Sequence, residues 1–244
     1  MLVNVNNLLS SIFKDGTKKY NVLFIPRRVT DRAKRESDKI LSILQQEEYY
    51  GDLDLFNIKN LGPDIYNQIT DLGNLRVIHG SISLGESKIT NLGNIERVDG
   101  DLYMSYTYVN DLGSLKYVGS YFGANFTELE TLDPLEEVGG PLDLVGCSGL
   151  TSLGSLKRVG QSLNVSYTRL SDLGSLEYVG GNFVALNTNL KSLGNLKKIE
   201  GDLFLNGTKI TDLSNLESVE GDIYVDDCSQ IAGCDKWDNK IKTR

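Results

Sequence analysis

From Asp71 to the C-terminus one 20-residue unit recurs eight times, and this spacing limits the possible folds more than any other property of the chain. The unit reads D-L-G-N-L-x-x-V-x-G-x-L-x-L-x-x-T-x-I-T. Its first residue falls at Asp71, Asn91, Asp111, Thr131, Ser152, Asp172, Ser192 and Asp212. Twenty residues cannot enclose their own apolar side chains. Consecutive copies must stack and share one continuous core, which makes the chain a solenoid. Solenoids present surfaces more readily than they enclose reaction chambers.

Counted from that first residue, positions 2, 5, 8, 12, 14 and 19 are apolar; in the seventh copy they are Leu193, Leu196, Ile199, Leu203, Leu205 and Ile210. Positions 12 and 14 alternate with polar neighbours, the period of a strand with one buried face. Positions 2, 5 and 8 step by three, which suits a 3₁₀ turn or a loose edge. Each coil is therefore expected to hold one short parallel strand and two irregular sides. Glycine marks the corners at position 3 (Gly73, Gly93, Gly113, Gly154, Gly174, Gly194) and position 10 (Gly80, Gly100, Gly140, Gly181, Gly201, Gly221). Turns that need φ > 0, or close contact between coils, account for them, and no phosphate-loop motif is present.

Two further columns define the stack. Position 17 carries Ser87, Thr107, Thr127, Thr168, Thr188 and Thr208, with Cys147 and Cys228 in the copies that hold an extra residue. This reads as an internal polar ladder that satisfies backbone groups where the chain turns. Position 6 runs Arg76, Glu96, Lys116, Glu136, Lys157, Glu177, Lys197, Glu217, alternating in sign through every coil. At a spacing of about 4.8 Å each charge lies between two of opposite sign, and a slip of one coil aligns like charges. These columns are structural and lie outside any binding site.

The segment Leu142-x-Leu144-x-x-Cys147-x-x-Leu150 resembles the leucine-rich-repeat core, L-x-L-x-x-[N/C]-x-L, and Leu196-Lys-Lys-Ile199-Glu-Gly201-Asp-Leu203-Phe-Leu205 resembles the receptor L domain. The resemblance spans roughly residues 51–231. It implies a right-handed parallel β-solenoid of leucine-rich-repeat type, with about eight to nine coils, and protein binding without catalysis. Threonine stands where that family's ladder has asparagine, and the leading apolar residue falls four places before the first strand leucine instead of three. A straight, helix-poor solenoid is expected, not a horseshoe.

Residues 1–50 lack the repeat. Val5–Lys14 reads as a helix, Tyr20–Ile25 as a strand ended by Pro26, and Thr30 or Asp31 as the cap of a helix reaching about Tyr49, with Ala33, Ile40, Leu41 and Leu44 on one face. This α/β segment is expected to cap the core, or to act as an interaction element of its own. Gly51–Leu55 matches positions 10 to 14, so the solenoid is taken as 51–231, with an insertion around Gly62 and Pro63. Residues 232–244 are read as a C-terminal cap, with Trp237 as a lid and Lys236, Lys240, Lys242 and Arg244 as a solvated basic tail.

Three cysteines suggest a reducing compartment and a cytoplasmic location. Cys147 and Cys228 lie four coils apart, too far to bridge. Cys228 and Cys234 are close enough to pair, but two buried or spare thiols are the expectation. No CxxC or histidine cluster suggests a metal, no cofactor motif occurs, and no stretch suits a membrane span. Asn125-Phe-Thr, Asn164-Val-Ser and Asn206-Gly-Thr match the glycosylation pattern, but all three arise from the repeat. Residues 1–50 carry net +3 and the remainder net −11, together the chain's −8. An acidic solenoid disfavours direct nucleic-acid binding.

Positions 11, 13 and 15 point outward and form one flat sheet face, where the repeat no longer dictates residue type. Val184, Leu186, Phe204 and Tyr224, with Asp143, Asp202, Asp222 and Asp226, give an apolar cluster rimmed by acids, the composition of a protein-binding hot spot. Tyr103 and Tyr121 extend it. Tyr106, Phe126 and Tyr167 at position 16 read as ladder packing, or as a platform for a peptide or sugar. His79, the one histidine, has no catalytic partner defined by sequence. The expected function is a non-enzymatic module that docks on, and inhibits, a protein target. The alternatives are an acidic mimic of nucleic acid, and a small-ligand binder or enzyme that uses a cleft between cap and solenoid.

Overall fold

The computed structural model describes residues 31–56, 58, 69–85 and 87–243. Among these residues the chain is mainly β and winds into a parallel β-solenoid of about eight turns, some 20 residues apart. The strand expected at positions 12 and 13 is present in every coil, for example Leu163–Asn164, Phe183–Val184 and Leu203–Phe204, which pair in register. Together these strands form a ten-stranded parallel sheet.

A second strand per coil, at positions 7 and 8, corrects the expectation of two irregular sides. It builds a nine-stranded parallel sheet from Glu48–Tyr49 to Ser218–Val219. From Val77–Ile78 onward position 8 is a buried residue such as Val118 or Ile199, while position 7 faces outward; in the first strand Tyr49 is half-buried. One inward and one outward residue make a single period, too little to stand out against the three-residue step of positions 2, 5 and 8. Backbone bonds between coils complete the sheet: Asp99 N–H donates to Ile78 O at 2.9 Å and Gly119 N–H to Val98 O at 2.8 Å.

A single apolar column runs from Ile43 to Trp237. Its layers are matched in volume. Where position 12 is phenylalanine, position 14 shrinks to alanine: Phe122 with Ala124, and Phe183 with Ala185, all fully buried. Other coils balance two mid-sized residues, as in Leu142/Leu144 and Leu203/Leu205. The sum at the two positions keeps the interior close-packed along the axis.

The recurrent polar residues serve the corners. Position 1 accepts a hydrogen bond from the position-3 amide, as Asp71 Oδ1 does from Gly73 at 2.9 Å and Asp111 Oδ1 from Gly113 at 2.7 Å, closing the turn that opens each coil. The position-3 glycines then adopt φ of 55–64°, which a side chain would strain. The position-10 glycines answer a different need: a Cβ on Gly140 would lie 2.6 Å from the Ser120 carbonyl carbon of the preceding coil. The position-17 hydroxyls bond within their own coil, Thr107 to Met104 O at 2.7 Å and Thr168 to Val165 O at 2.8 Å. Cys147 continues the ladder by donating to Ala124 O at 3.0 Å.

The two ends depart from expectation. Helix α1 spans Asp31–Ile43, and the chain then turns into the strand Glu48–Tyr49 instead of staying helical to Tyr49. The first coil thus begins ahead of Gly51. The face of α1 that meets the core carries Ser37, Ile40 and Ile43, followed by Leu44, whereas Leu41 is exposed. The helix read at Val5–Lys14, the strand at Tyr20–Ile25 and the insertion near Gly62 lie outside the described residues. At the other end Cys228 and Cys234 form a disulfide, with Cα atoms 6.1 Å apart, which overturns their reading as spare thiols. The cysteine argument for a reducing compartment falls with it. Lys236, Lys240 and Lys242 are not a solvated tail. Lys236 Nζ donates to Leu216 O at 2.6 Å, Lys240 Nζ to Val219 O and Glu220 O, and Lys242 pairs with Asp222 at 3.2 Å. Ammonium groups therefore cover carbonyls that a further coil would otherwise occupy, blunting the open end of the nine-stranded sheet. Trp237 is buried beneath this turn.

Candidate functional site

The ten-stranded sheet places Tyr103, Asp143, Val184, Phe204 and Tyr224 on one outward column. Phe204 and Tyr224 stack with ring centroids 4.5 Å apart and planes within 7°. Tyr103 and Tyr121 meet at 5.2 Å, and the Tyr121 ring lies across Gly123, where a Cβ would be 2.5 Å from it. Burial holds the Tyr121 phenol above its usual pKa, and the bond to Asp101 does the same for Tyr103, so both stay neutral donors. Leu186 is half-buried at the sheet edge.

The acids around this column have structural duties that the sequence did not reveal. Asp202 Oδ1 accepts the Asp222 amide of the next coil at 2.8 Å, and Asn182 accepts that of Asp202 at 2.8 Å. Asp52, Ser81 and Asp101 do the same lower in the stack. Position 11 is thus a second ladder, with each polar side chain tying its coil to the next. Asp226 accepts from Gly207 N–H at 2.7 Å and Asn206 Nδ2 at 3.1 Å. Asp143 Oδ2 accepts from Asn125 Nδ2 at 3.0 Å, leaving Oδ1 buried without a hydrogen-bond partner. Asn125, Asn164 and Asn206, the glycosylation-pattern residues, all spend their amides on such bonds.

Position 16 is where sequence reasoning fell short. Tyr106, Phe126 and Tyr167 have φ of 60°, 56° and 60°, the left-handed region, and are 61%, 52% and 61% exposed. They are not strand residues. The same corner in other coils holds Gly146, Asn187 and Gly207, all with positive φ, and that mixture was the overlooked signal. A bulky residue there costs of order 1–3 kcal/mol. Tyr106 and Phe126 recover part of this by stacking at 5.2 Å and 14°. Tyr167 does not share that gain, since the coils on either side carry Gly146 and Asn187 at this corner. Beside it Leu186, Asn187, Asn206, Gly207 and Asp226 line a groove of about 360 Å³.

The His79 ring is partly exposed and is held by two carboxylates and a tyrosine ring. Nδ1 lies 2.8 Å from Asp99, Nε2 lies 3.4 Å from Glu48, and the ring stacks on Tyr50 at 4.3 Å. It joins the first coil's strand to the two coils above. The bond to Asp99, helped by Glu48, holds the imidazolium above its ordinary pKa of about 6.5. Burial pushes Asp99 up, but bonds from His79 and Arg97 outweigh it and keep the carboxyl below its usual range. A raised folded-state pKa stabilises fully below the unfolded value and is lost as pH rises through the folded one. Wild type is therefore expected to lose thermal stability from about pH 6.5 upward relative to His79→Gln, whose profile stays flat there. Paired melts from pH 5.5 to 8.5 test this; parallel profiles would show that the ring titrates alike in both states.

The cleft next to the cap is a polar groove of about 370 Å³ lined by Gln45, Glu47, Asn74, Arg76, Asn94, Glu96 and Ser114. Arg76 and Glu96 pair across it at 2.8 Å, and His79 is not among its walls. Among the described residues no group of three or more histidine, cysteine or acidic side chains converges as a metal site, and no helix is long and apolar enough to cross a membrane. Comparisons with protein-family models, with characterised proteins and with solved structures return no match.

Proposed function

We propose that this chain is a non-enzymatic, leucine-rich-repeat-like module that docks on a protein through the outward face of its ten-stranded sheet. The carrying observation is the stacked pair Phe204–Tyr224, two large rings side by side at 4.5 Å on strand positions where the fold requires no particular residue. The Tyr103–Tyr121 pair forms a second aromatic patch lower on the same face, with Asp143 and Asn164 between the two pairs. Flat aromatic surface that costs little conformational entropy to bury is what protein hot spots use. Asp202, Asp222 and Asp226 lie beside it, so the complementary surface is apolar at its centre and basic at its rim. Nucleic-acid mimicry has weaker support. The rim carboxylates are engaged by backbone amides and Lys242, and the charges at position 6 alternate, so no uniform phosphate-like row forms.

The test is affinity capture from cell lysate with wild type and Phe204→Ala/Tyr224→Ala at low and high salt, with cross-links from position 184 locating the contact. A partner that resists salt, cross-links at this face and is lost by at least tenfold in the double variant is the expected result. A partner that the variant retains and salt removes would transfer the function to the acidic surface.

A further inference from the structure

The outward columns of the ten-stranded sheet, positions 11, 13 and 15, carry charge of one sign. From Asp52 to Asp226 they hold seven aspartates and no lysine or arginine. Six of these carboxylates are engaged within the chain: five accept backbone amides, as Asp54 Oδ1 does from Phe56 N–H at 3.0 Å, and Asp222 meets Lys242. Asp143 is the exception. Its Oδ2 takes the Asn125 amide, whereas Oδ1 is buried and receives no hydrogen bond. A buried carboxylate oxygen without a donor forfeits its solvation and returns nothing to the fold. The neighbours in register supply no donor. Gly123 has no side chain, and Asn164 turns its own Oδ1 to the Ser166 amide at 3.1 Å.

On the Gly123 side the wall of this step is a side chain and not backbone. The Tyr121 ring lies over Gly123, where a Cβ would be 2.5 Å from it, and near enough to Asp143 for that charge to help raise the phenol's pKa. It rests on glycine and on Tyr103 at 5.2 Å, so rotation of one side chain opens the step without moving a coil. The opposite sheet shows which group suits such a place. There Arg97 lies over the Tyr117 ring at 4.1 Å while bonding Asp99, and Arg158 lies over the Tyr178 ring at 3.8 Å beside Glu137. In both places a guanidinium joins a tyrosine face to a carboxylate. At Asp143 the tyrosine and the carboxylate stand together on a face that carries no arginine of its own.

We propose that the Asp143 step receives an arginine side chain of the docking partner, its guanidinium donating to Oδ1 and stacking on the Tyr121 ring. The inference rests on the docking reading and gives it a specificity: the arginine enters between the two aromatic pairs, where Asp143 and Asn164 separate them. A planar fork of donors suits both a carboxylate and a ring face, which the compact ammonium of lysine does not. Columns of a single sign attract such a group and turn away acidic partners.

The probes are peptides selected from a random display library on the intact, disulfide-bonded protein, then titrated in solution by fluorescence polarisation. The expected result is a recurrent arginine between apolar residues. Binding should fall by about tenfold or more in Asp143→Asn, in Phe204→Ala/Tyr224→Ala, and when that arginine is changed to lysine or alanine. On the Asp143→Asn background the change of arginine to alanine should cost far less, as for two groups in contact. Asp143→Asn keeps an acceptor for Asn125 and removes an unpaired charge, so it should melt at or above the wild-type temperature. Peptides that need Phe204 and Tyr224 but hold no recurrent arginine, accept lysine in its place, or bind Asp143→Asn as tightly as wild type overturn the arginine site and leave the docking reading standing. Peptides indifferent to both sets of substitutions, or no selected peptide at all, overturn both. Marked destabilisation by Asp143→Asn would return the carboxylate to the fold and overturn the site as well.

Discussion

Phe183→Ala is expected to destabilise the protein by about 3–5 kcal/mol, the largest effect of any single substitution considered. Phe183 is fully buried and sits opposite Ala185 in its own layer, so truncation leaves two alanines where every other layer provides one large or two mid-sized residues. The walls are neighbouring coils fixed by backbone bonds, Leu163 to Asn182 O and Phe183 to Asp202 O at 2.8 Å each, and they cannot collapse far into the void. Urea melts measure the loss. A solenoid couples each coil only to its neighbours, so a lower or split transition is expected, with the stack parting around the coil of Phe183. The double variant Phe183→Leu/Ala185→Leu recreates the pairing already present at Leu142/Leu144 and Leu203/Leu205 and should recover most of the stability. If the single alanine variant costs less than about 1 kcal/mol, the volume matching has been misjudged.

That layer also shows what the amino-acid order made legible. The apolar positions, the 20-residue pitch, the corner glycines and the hydroxyl ladder all repeat, and repetition turns weak local signals into strong ones. The second strand escaped because two residues, one in and one out, carry too little alternation to announce a strand; only stacking reveals them. Position 16 escaped for a related reason. Conformation there is shared by tyrosine, phenylalanine, asparagine and glycine, and averaging over the column hid the left-handed corner that Gly146, Asn187 and Gly207 each indicate. The candidate surface itself was half legible. Phe204, Tyr224, Tyr103 and Tyr121 do meet as pairs, but Asp202 and Asp226 proved to be fasteners between coils, because a side chain's hydrogen-bond partner about 20 residues away is set by register and not by its neighbours in sequence.

Removing the Cys228–Cys234 bridge with Cys228→Ser/Cys234→Ser should cost about 2 kcal/mol on the loop-closure account of a six-residue separation. The cost should fall on one end. Hydrogen exchange is expected to quicken over 223–243, where Lys236 and Lys240 close the last coil, and to stay unchanged over the central coils. Reduction of wild type should reproduce the effect. Alkylation gives an independent check: Cys147 is buried and its thiol is pushed above the ordinary pKa by that burial, so native oxidised protein should take up no label. Two labels taken up without reductant would mean that the bridge does not form.

The alternating charges at position 6 have a consequence for how such a chain can lengthen. Arg76 pairs with Glu96, Lys157 with Glu136 and Lys197 with Glu217, each reaching one coil up or down. Individually these exposed pairs are worth no more than about 1 kcal/mol. Collectively they give the stack a parity. Duplicating or deleting one coil sets like charges side by side at the junction, whereas a change of two coils leaves the alternation intact. The heritable unit of growth in this architecture is therefore forty residues, twice the unit that repeats.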